Sequence, residues 1–196
     1  PRCGFVAEHG WTADQHFAVA EQFGVDCFNV PHYRGDPATG VAEFADALGP
    51  FCERAARAGI TVALEFLPGT GIPDLERALR IVEAVGAPNL GITLDTWHWA
   101  RIGATLADIR ALPPGVIKDF QLSDRAANQD ALPDSEQWGR LLPGEGALPL
   151  AEIIRAVHAN APELTVNAEI FSQELQQLEP HDAARAIAEA LGRVLV

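Results

Sequence analysis

The feature that most constrains the fold is an apolar run that ends in an acidic residue. The run Gly91-Ile-Thr-Leu-Asp95 carries only apolar or β-branched residues until it reaches the aspartate. Such a continuous run is typical of a strand that is buried on both faces of a parallel sheet. Because a buried carboxylate is costly unless it is paired or bound to a metal, the position of Asp95 predicts a chemical role.

The same arrangement recurs along the chain. The predicted strands span residues 25–31, 61–67, 90–95, 116–122 and 164–170, and Glu65, Asp95, Gln121 and Glu169 occupy the last inward positions of the final four. The predicted helices span residues 12–23, 41–58, 74–85, 105–112, 148–160 and 180–194. This alternation predicts an α/β fold with a parallel sheet, either a barrel or an open doubly wound sheet. The absence of a GxGxxG or Walker motif after a strand weakens the nucleotide-binding interpretation.

The length of the chain bears on the kind of barrel that it can form. A complete eightfold β/α barrel needs about 250 residues, and this chain has 196. We therefore expect a single barrel domain over residues 1–196 that lacks the first strand–helix units. The chain begins Pro-Arg-Cys and contains no methionine, which agrees with a fragment or a processed form.

Composition and charge narrow the classes of partner. The chain is 48% hydrophobic and 21% charged, as in ordinary globular domains. Its net charge of −13 argues against a nucleic-acid partner and favours small molecules and metal cations. Neither a membrane span nor a signal peptide is visible. The cysteines, Cys3, Cys27 and Cys52, form no CxxC motif and are expected to be reduced thiols, so the predicted location is cytoplasmic.

The polar residues at the four strand ends suggest one shared site. The carboxyl ends of barrel strands meet on one face, and carboxylate and amide oxygens suit Mg²⁺ or Mn²⁺. The alternative is that each acid caps a helix or pairs with a basic residue. The repetition of the same placement on four strands favours the shared site.

Further candidates lie next to these strand ends. His98 can donate a hydrogen bond to a substrate or be an ordinary core or surface histidine. Trp97 and Trp99 can line a sugar-binding wall or belong to the core, and we expect the core for one of them.

Three more polar residues complete the set of candidates. Arg140, before a glycine-rich turn, can hold a substrate hydroxyl or phosphate or be a solvated loop residue. His32 follows the first strand near the same rim. Asp124 can orient a ligand or bind a basic residue from behind.

Several motifs together resemble the xylose isomerase-like TIM-barrel superfamily, in particular its sugar phosphate isomerase/epimerase branch. The motifs are Ala63-Leu-Glu65, Leu94-Asp95-Thr-Trp-His98, Phe120-Gln121-Leu-Ser-Asp124, Leu142-Pro-Gly-Glu-Gly146 and Asn167-Ala-Glu169-Ile-Phe-Ser172. The resemblance extends over residues 12–196. It implies a (β/α)8 TIM barrel whose first two strand–helix units have no counterpart here.

The resemblance also implies a metal site. The implied ligands are Glu65, Asp95, Gln121 and Glu169, with Mn²⁺ or Mg²⁺ favoured and Co²⁺ or Zn²⁺ as alternatives. Gln121 departs from the family pattern, in which histidine is the common ligand. An amide oxygen in place of an imidazole nitrogen would favour a harder ion and weaken binding. His98 matches the histidine that contacts substrate in the family.

The implied activity is proton transfer next to the carbonyl of a sugar, sugar phosphate or cyclic polyol ketone. Glu65 and Glu169 would approach from opposite sides, giving a metal-dependent isomerase or epimerase. A dehydratase of the inosose type and a non-catalytic sugar-binding barrel are the alternatives. The endonuclease IV branch is disfavoured, because histidines do not lie at matching strand ends and the net charge opposes DNA binding. Whether the protein forms homo-oligomers is open.

Overall fold

The computed structural model describes residues 12–32, 38–127 and 139–195. The elements in chain order are α1 (Ala13–Phe23), β1 (Cys27–Val30), α2 (Val41–Arg57), β2 (Thr61–Glu65), α3 (Leu75–Val85), β3 (Leu90–Asp95), α4 (Thr96–Arg101), α5 (Leu106–Arg110), β4 (Ile117–Leu122), α6 (Leu150–Asn160), β5 (Val166–Ala168), α7 (Gln173–Gln176) and α8 (Pro180–Val194).

The strands form one sheet in chain order, β1-β2-β3-β4-β5. The pairings of β1 with β2, of β2 with β3 and of β4 with β5 are parallel. The five predicted strands and the parallel α/β architecture are therefore confirmed. The strands are shorter than predicted, and β5 keeps only three residues.

Local capping chemistry explains why several helices begin and end where the sequence predicts. Thr12 caps α1 in a reciprocal capping box with Gln15, and Gly24 ends that helix in the left-handed conformation. Asp74 caps α3 by accepting from the backbone N–H of Arg77 at 2.8 Å. In residues 12–32, 38–127 and 139–195, no helix is both long enough and apolar enough to cross a membrane.

Two short helices were not predicted. The first, α4, begins directly after Asp95, where the sequence reads Thr-Trp-His-Trp and carries no helical period. The second, α7, covers a single turn after Ser172, whose side chain caps it. Both are too short to show the apolar periodicity on which helix prediction depends.

Contacts divide the chain into two compact units. The first comprises Pro1–Thr93 and Pro114–Asp119, and the second comprises Leu94–Pro113 and Phe120–Val196. In the first unit, α2 and α3 pack on each other and on β2. The buried apolar side chains of this unit include Leu48, Ala55, Val62, Leu64, Ile81 and Ile92. Cys52 is buried and Cys27 is half-buried, and neither forms a disulfide bond among the described residues; Cys3 lies outside them.

The second unit has its own apolar core. The helices α5 and α6 pack together. The buried apolar side chains of this unit include Trp97, Ile109, Phe120, Leu122, Ile153 and Val157. The α6 helix buries one face because its apolar residues recur at helical spacing.

Gly91, the first residue of the apolar run that ends at Asp95, packs closely against Val116 and Lys118. A Cβ atom at this position would lie 2.1 Å from the backbone oxygen of Val116 and 2.4 Å from Cγ of Lys118. No side chain fits there without displacing the backbone. Gly91 is therefore required for this packing, although its φ angle is not positive.

We expect Gly91→Ala to destabilise the protein by about 1–3 kcal/mol, because the added methyl overpacks a rigid site. Gly192→Ala is the control, since a Cβ atom added at this position in α8 would have nothing within 4 Å. In a helix this control should stabilise by up to about 1 kcal/mol. Urea denaturation of both variants measures the difference. Equal midpoints for Gly91→Ala and the wild type would contradict the packing.

Candidate functional site

Glu65 is the strand-end carboxylate of the first unit. It is the last residue of β2 and only 1% exposed. Nδ2 of Asn29, on β1, donates to Oε2 of Glu65 at 3.0 Å. The hydroxyl of Thr93, on β3, donates in turn to Oδ1 of Asn29 at 3.0 Å. These contacts compensate in part for burying a carboxylate.

His32 lies two residues after β1 and is buried. Its ring meets the Phe44 ring edge-on, with centroids 4.9 Å apart. Its Nδ1 has no hydrogen-bond partner among the described residues. Burial lowers the pKa of His32, so the imidazole is neutral near pH 7. Its contact with a substrate stays a prediction.

Asp95 is the strand-end carboxylate of β3 in the second unit, and it is 1% exposed. Oδ1 accepts from the backbone N–H of His98 at 2.9 Å and caps α4. Oδ2 accepts from Nη1 of Arg140 at 2.6 Å. The two ordinary roles considered for such an acid, helix cap and ion-pair partner, therefore both hold at Asp95. They also fix the direction in which the carboxylate points.

Arg140 is the cation of this unit's site. Its side chain is 0% exposed, so the interpretation as a solvated loop residue is excluded. Nη1 donates to Oδ2 of Asp95, and at 3.0 Å to both Oε2 and the backbone oxygen of Glu169. The guanidinium carbon lies 5.2 Å from the Phe171 ring centroid and 5.8 Å from that of Trp97. Charge and aromatic faces together hold the guanidinium in place.

The pKa of Asp95 reflects this pairing. Burial opposes ionisation of the carboxyl, but the charge of Arg140, with help from His98, outweighs burial and lowers the pKa. Asp95 is therefore ionised near neutral pH.

Glu169 responds differently to the same cation. It lies one residue after β5, and its side chain is 28% exposed. Burial raises the pKa of Glu169 to about 7; Arg140 opposes this shift and the negative charge of Asp95 adds to it. Without a metal, Glu169 can therefore take up or release a proton near neutral pH, which is the property that general acid–base catalysis needs.

His98 is buried beside these groups. Burial lowers its pKa to about 4, against the charge of Asp95. Its Nε2 lies 3.3 Å from Nη2 of Arg140. Because a guanidinium can only donate, this contact assigns the proton of the neutral ring to Nδ1. A ring nitrogen of His98 also lies within 4.8 Å of a carboxylate oxygen of Asp95.

Gln121 provides the test of whether the second unit suits a metal. It is the second-last residue of β4 and 8% exposed. Its Oε1 is buried and finds no hydrogen-bond partner among residues 12–32, 38–127 and 139–195. A buried acceptor without a partner is costly, and a hard cation would satisfy it. Amide and carboxylate oxygens are the donors that Mg²⁺ and Mn²⁺ prefer, so the chemistry of Gln121, Asp95 and Glu169 fits such an ion.

The tryptophans after Asp95 are both buried, with Trp97 2% and Trp99 6% exposed. The sequence analysis expected one of the two in the core, whereas the structure buries both. Within the described ranges, neither indole N–H has a hydrogen-bond acceptor. Trp97 faces Arg140, so it lies beside the charged groups, and its contact with a sugar stays a prediction.

Asp124 organises the glycine-rich turn that follows Arg140. Oδ2 accepts from the backbone N–H groups of Gly144 and Gly146 at 3.0 Å, and Oδ1 accepts from those of Arg125 and Leu148. A Cβ atom at Gly146 would lie 2.3 Å from Oδ1 of Asp124, so only glycine fits. Asp124 also bridges Leu141 through two backbone hydrogen bonds of 2.9 Å. These contacts hold the segment that follows Arg140.

The sequence analysis missed Asn29 and Thr93. Both lie in predicted strands, at positions that point to the same face as a strand-end acid. The only available signal was an asparagine between the apolar residues Phe28 and Val30 of a predicted strand. Asparagine is depleted in strands, so its presence there indicates a specific hydrogen bond.

The chain belongs to the xylose isomerase-like TIM barrel family, whose model matches residues 12–194. The inosose isomerase of Halalkalibacterium halodurans is 27% identical over 139 residues, which are 70% of this chain and 49% of that protein. The 3-dehydroshikimate dehydratase of Pseudomonas aeruginosa is 29% identical over 167 residues, 82% of this chain and 26% of that protein. The chain thus spans about half the length of the inosose isomerases that it matches.

Solved structures show the same fold. The crystal structure of the IolI protein with a bound zinc atom matches with a TM-score of 0.79 and 21% identity, covering 93% of this chain and 67% of that one. A D-psicose 3-epimerase structure in the presence of D-fructose matches with a TM-score of 0.68 and 15% identity, covering 91% and 66%. The expected TIM-barrel fold is therefore confirmed, and the residues that the structure describes contribute five strands to it.

We expect Arg140→Met to destabilise the metal-free protein by about 3–5 kcal/mol, because it leaves the buried Asp95 carboxylate without its cation. Arg155→Met is the matched control. That arginine is 70% exposed and pairs with Glu152 on the same helix, so its loss should cost at most about 0.5 kcal/mol. Urea denaturation with a chelator present compares the two. A similar small loss for both would show that the buried pair contributes little.

The stability contributed by neutral His32 should depend on pH. Its pKa in the folded protein lies below its ordinary value of 6.5, so the unfolded chain binds the proton first as pH falls. This contribution is present above about pH 6.5 and is lost as pH decreases toward the folded pKa. The free energy of unfolding should fall less from about pH 7 to about pH 5 in His32→Gln than in the wild type. His181→Gln, at an exposed position, should keep the wild-type slope.

Proposed function

We propose that this protein is a metal-dependent enzyme that moves a proton next to the carbonyl of a sugar or cyclic polyol ketone, as an isomerase or epimerase. The single observation that carries the proposal is the trio of Asp95, Arg140 and Glu169. It combines an ionised carboxylate, a buried cation and a carboxyl whose pKa is about 7. The similarity to inosose isomerases supports the substrate class.

The proposed metal ligands are Glu65, Asp95, Gln121 and Glu169. Each lies at or next to the carboxyl end of its strand in a parallel sheet, where TIM barrels carry their active sites. The unsatisfied Oε1 of Gln121 supports this assignment. The oxygen-only donor set favours Mn²⁺ or Mg²⁺, whereas the related IolI structure holds zinc. A bound divalent metal would act as a Lewis acid that polarises the substrate carbonyl.

Two neighbouring residues would orient the substrate. The buried Nε–H of Arg140 has no acceptor within the described ranges, so it can donate to a substrate hydroxyl or carbonyl oxygen. The neutral ring of His98 carries its proton on Nδ1 and can donate from there. Trp97, beside the guanidinium, would supply an apolar face against the ring of the substrate. His32 would contact the substrate from the end of β1.

The two catalytic carboxylates would share the proton transfer. Glu169, with its pKa of about 7 in the metal-free state, would take the proton from the carbon next to the carbonyl, whose electron pair then moves onto the carbonyl oxygen. For the protons to balance, Glu65 would start the turnover protonated and give its proton to carbon, so that the two carboxyls exchange protonation states. Return to the opposite face of the same carbon gives an epimer, and return to the neighbouring carbon gives an isomer. Asp124 would act indirectly, by holding the turn that follows Arg140.

Dehydration is the second candidate activity. If a hydroxyl on the β carbon leaves after proton removal, the same groups release water. The similarity to 3-dehydroshikimate dehydratases from two Pseudomonas species, at 29% and 25% identity, favours this outcome specifically. The first step is common to both reactions, so one experiment can test it.

We expect the protein with Mn²⁺ to exchange deuterium from D₂O into the carbon next to the carbonyl of an inosose or a ketose. Glu169→Gln should reduce exchange by a factor of about 10²–10⁴, the usual contribution of a general base. Glu152→Gln is the control, since this half-exposed carboxylate lies on α6 and pairs with Arg155 on the same helix. Proton NMR reads the exchange and identifies any product.

The panel of substrates should include ketoses, ketose phosphates, inososes and 3-dehydroshikimate. Exchange with a new stereocentre or a moved carbonyl supports the isomerase or epimerase, and release of water with a conjugated product supports the dehydratase. Equal exchange in the wild type and Glu169→Gln would refute the role of Glu169. No bound Mn²⁺ and no exchange on any member of the panel would contradict the proposed enzyme and leave a sugar-binding barrel.

A further inference from the structure

We propose that Asn29 is a positioning residue for Glu65, and that Thr93 fixes the Asn29 amide so that its NH₂ group faces the carboxylate. The inference rests on the proposed function only in taking Glu65 as a metal ligand and catalytic group. Asn29 touches no reacting atom in this scheme and acts through Glu65.

The hydrogen bonds run in one direction. The Thr93 hydroxyl donates to Oδ1 of Asn29 at 3.0 Å, and Nδ2 of Asn29 donates to Oε2 of Glu65 at 3.0 Å. An amide has one acceptor end and one donor end. A carboxylate only accepts, whereas the Thr93 hydroxyl can donate or accept. The NH₂ group of Asn29 must therefore face Glu65, and the amide oxygen then accepts from Thr93. This network therefore also assigns the orientation of the amide.

The parallel register brings the three residues together. Glu65 is the direct register partner of Thr93, on β3, while Asn29 pairs with Ala63. Asn29 therefore reaches Glu65 diagonally, two positions along the neighbouring strand, which is within reach of long side chains. Three adjacent strands contribute one residue each, so a shift of one strand would break the network.

Burial shows what the contact does for the carboxylate. Glu65 is 1% exposed and Thr93 is 0% exposed, whereas Asn29 is exposed. Burying a carboxylate is costly unless it is hydrogen-bonded, paired or bound to a metal. Asn29→Leu removes a donor from a buried carboxylate, so we expect it to lower the stability as well as to affect Glu65. The Mn²⁺ titration and the position of the carboxylate are therefore measured on a variant that urea denaturation shows to be folded.

The consequence for the site is a fixed carboxylate plane. With Oε2 held by Asn29, rotation of the carboxylate about its last bond is restricted. Groups that orient a metal ligand in this way typically change metal affinity by a factor of about 10–100 when they are removed. Asn29 should thus set both the affinity for the metal and the direction of the Glu65 carboxylate.

The test uses Asn29→Leu, which keeps the approximate size of the side chain and removes the donor, and Thr93→Val, which keeps the shape and removes the hydroxyl. Calorimetric titration of the full protein with Mn²⁺ should show a dissociation constant raised about 10–100-fold in Asn29→Leu. Thr93→Val should raise it by a smaller factor. Asn160→Leu is the control, because it removes an amide that donates to the backbone oxygens of Leu112 and Pro113 at the end of α6, and it should keep the wild-type constant.

Crystal structures of the metal-free wild type and Asn29→Leu provide the second readout. The Glu65 carboxylate should turn from its wild-type position in the variant. An unmoved carboxylate, or a wild-type Mn²⁺ constant in a folded Asn29→Leu protein, would overturn the proposal. If the wild type itself binds no Mn²⁺, the proposed metal-dependent function fails, and the position of Glu65 in the two crystal structures alone decides the role of Asn29.

Discussion

The chemistry of the second unit depends on one buried guanidinium. Arg140 meets the carboxylates of Asp95 and Glu169 with a single nitrogen, and its guanidinium lies close to the rings of Trp97 and Phe171. Without this cation, the burial of Asp95 would be unfavourable and its carboxyl would not stay ionised. The same cation leaves the more exposed Glu169 only partly compensated, so that two carboxyls on one arginine acquire different pKa values. Under the proposed function, this difference would separate a group that holds charge, Asp95, from a group that moves a proton, Glu169.

The hydrogen bonds of Glu65 in the first unit show another way to orient a buried carboxylate. Glu65 is as deeply buried as Asp95, and its Oε2 accepts from the neutral amide of Asn29, whereas Oδ2 of Asp95 accepts from a cation. A neutral amide orients a carboxylate oxygen without adding a charge of its own. The buried Oε1 of Gln121 in the second unit has no hydrogen-bond partner within the described part of the chain. Buried acceptors of this kind persist where a ligand uses them, so this oxygen supports the proposed metal site.

Features that depend on residues close together in the chain were predicted from the sequence, and features that depend on contacts between distant residues were not. Helix caps such as Thr12 and Asp74 act on residues three positions away, so short motifs were enough to predict α1 and α3. The α4 helix was missed although its cap, Asp95, was the residue on which the analysis centred. Its sequence of aromatic and β-branched residues has low helix propensity, and its six residues form a helix because the buried Asp95 caps them.

The sequence by itself determined the order of strands and helices and the placement of an acid or amide at four strand ends, because these depend on local periodicity and on positions that alternate along each strand. It also marked the glycine-rich turn after Arg140. The tertiary structure decided which groups meet. Arg140 reaches Asp95 across 45 positions of the chain, and Asn29 reaches Glu65 across 36. Burial and pairing between distant segments then set the pKa of each carboxyl, and no local pattern contains that information.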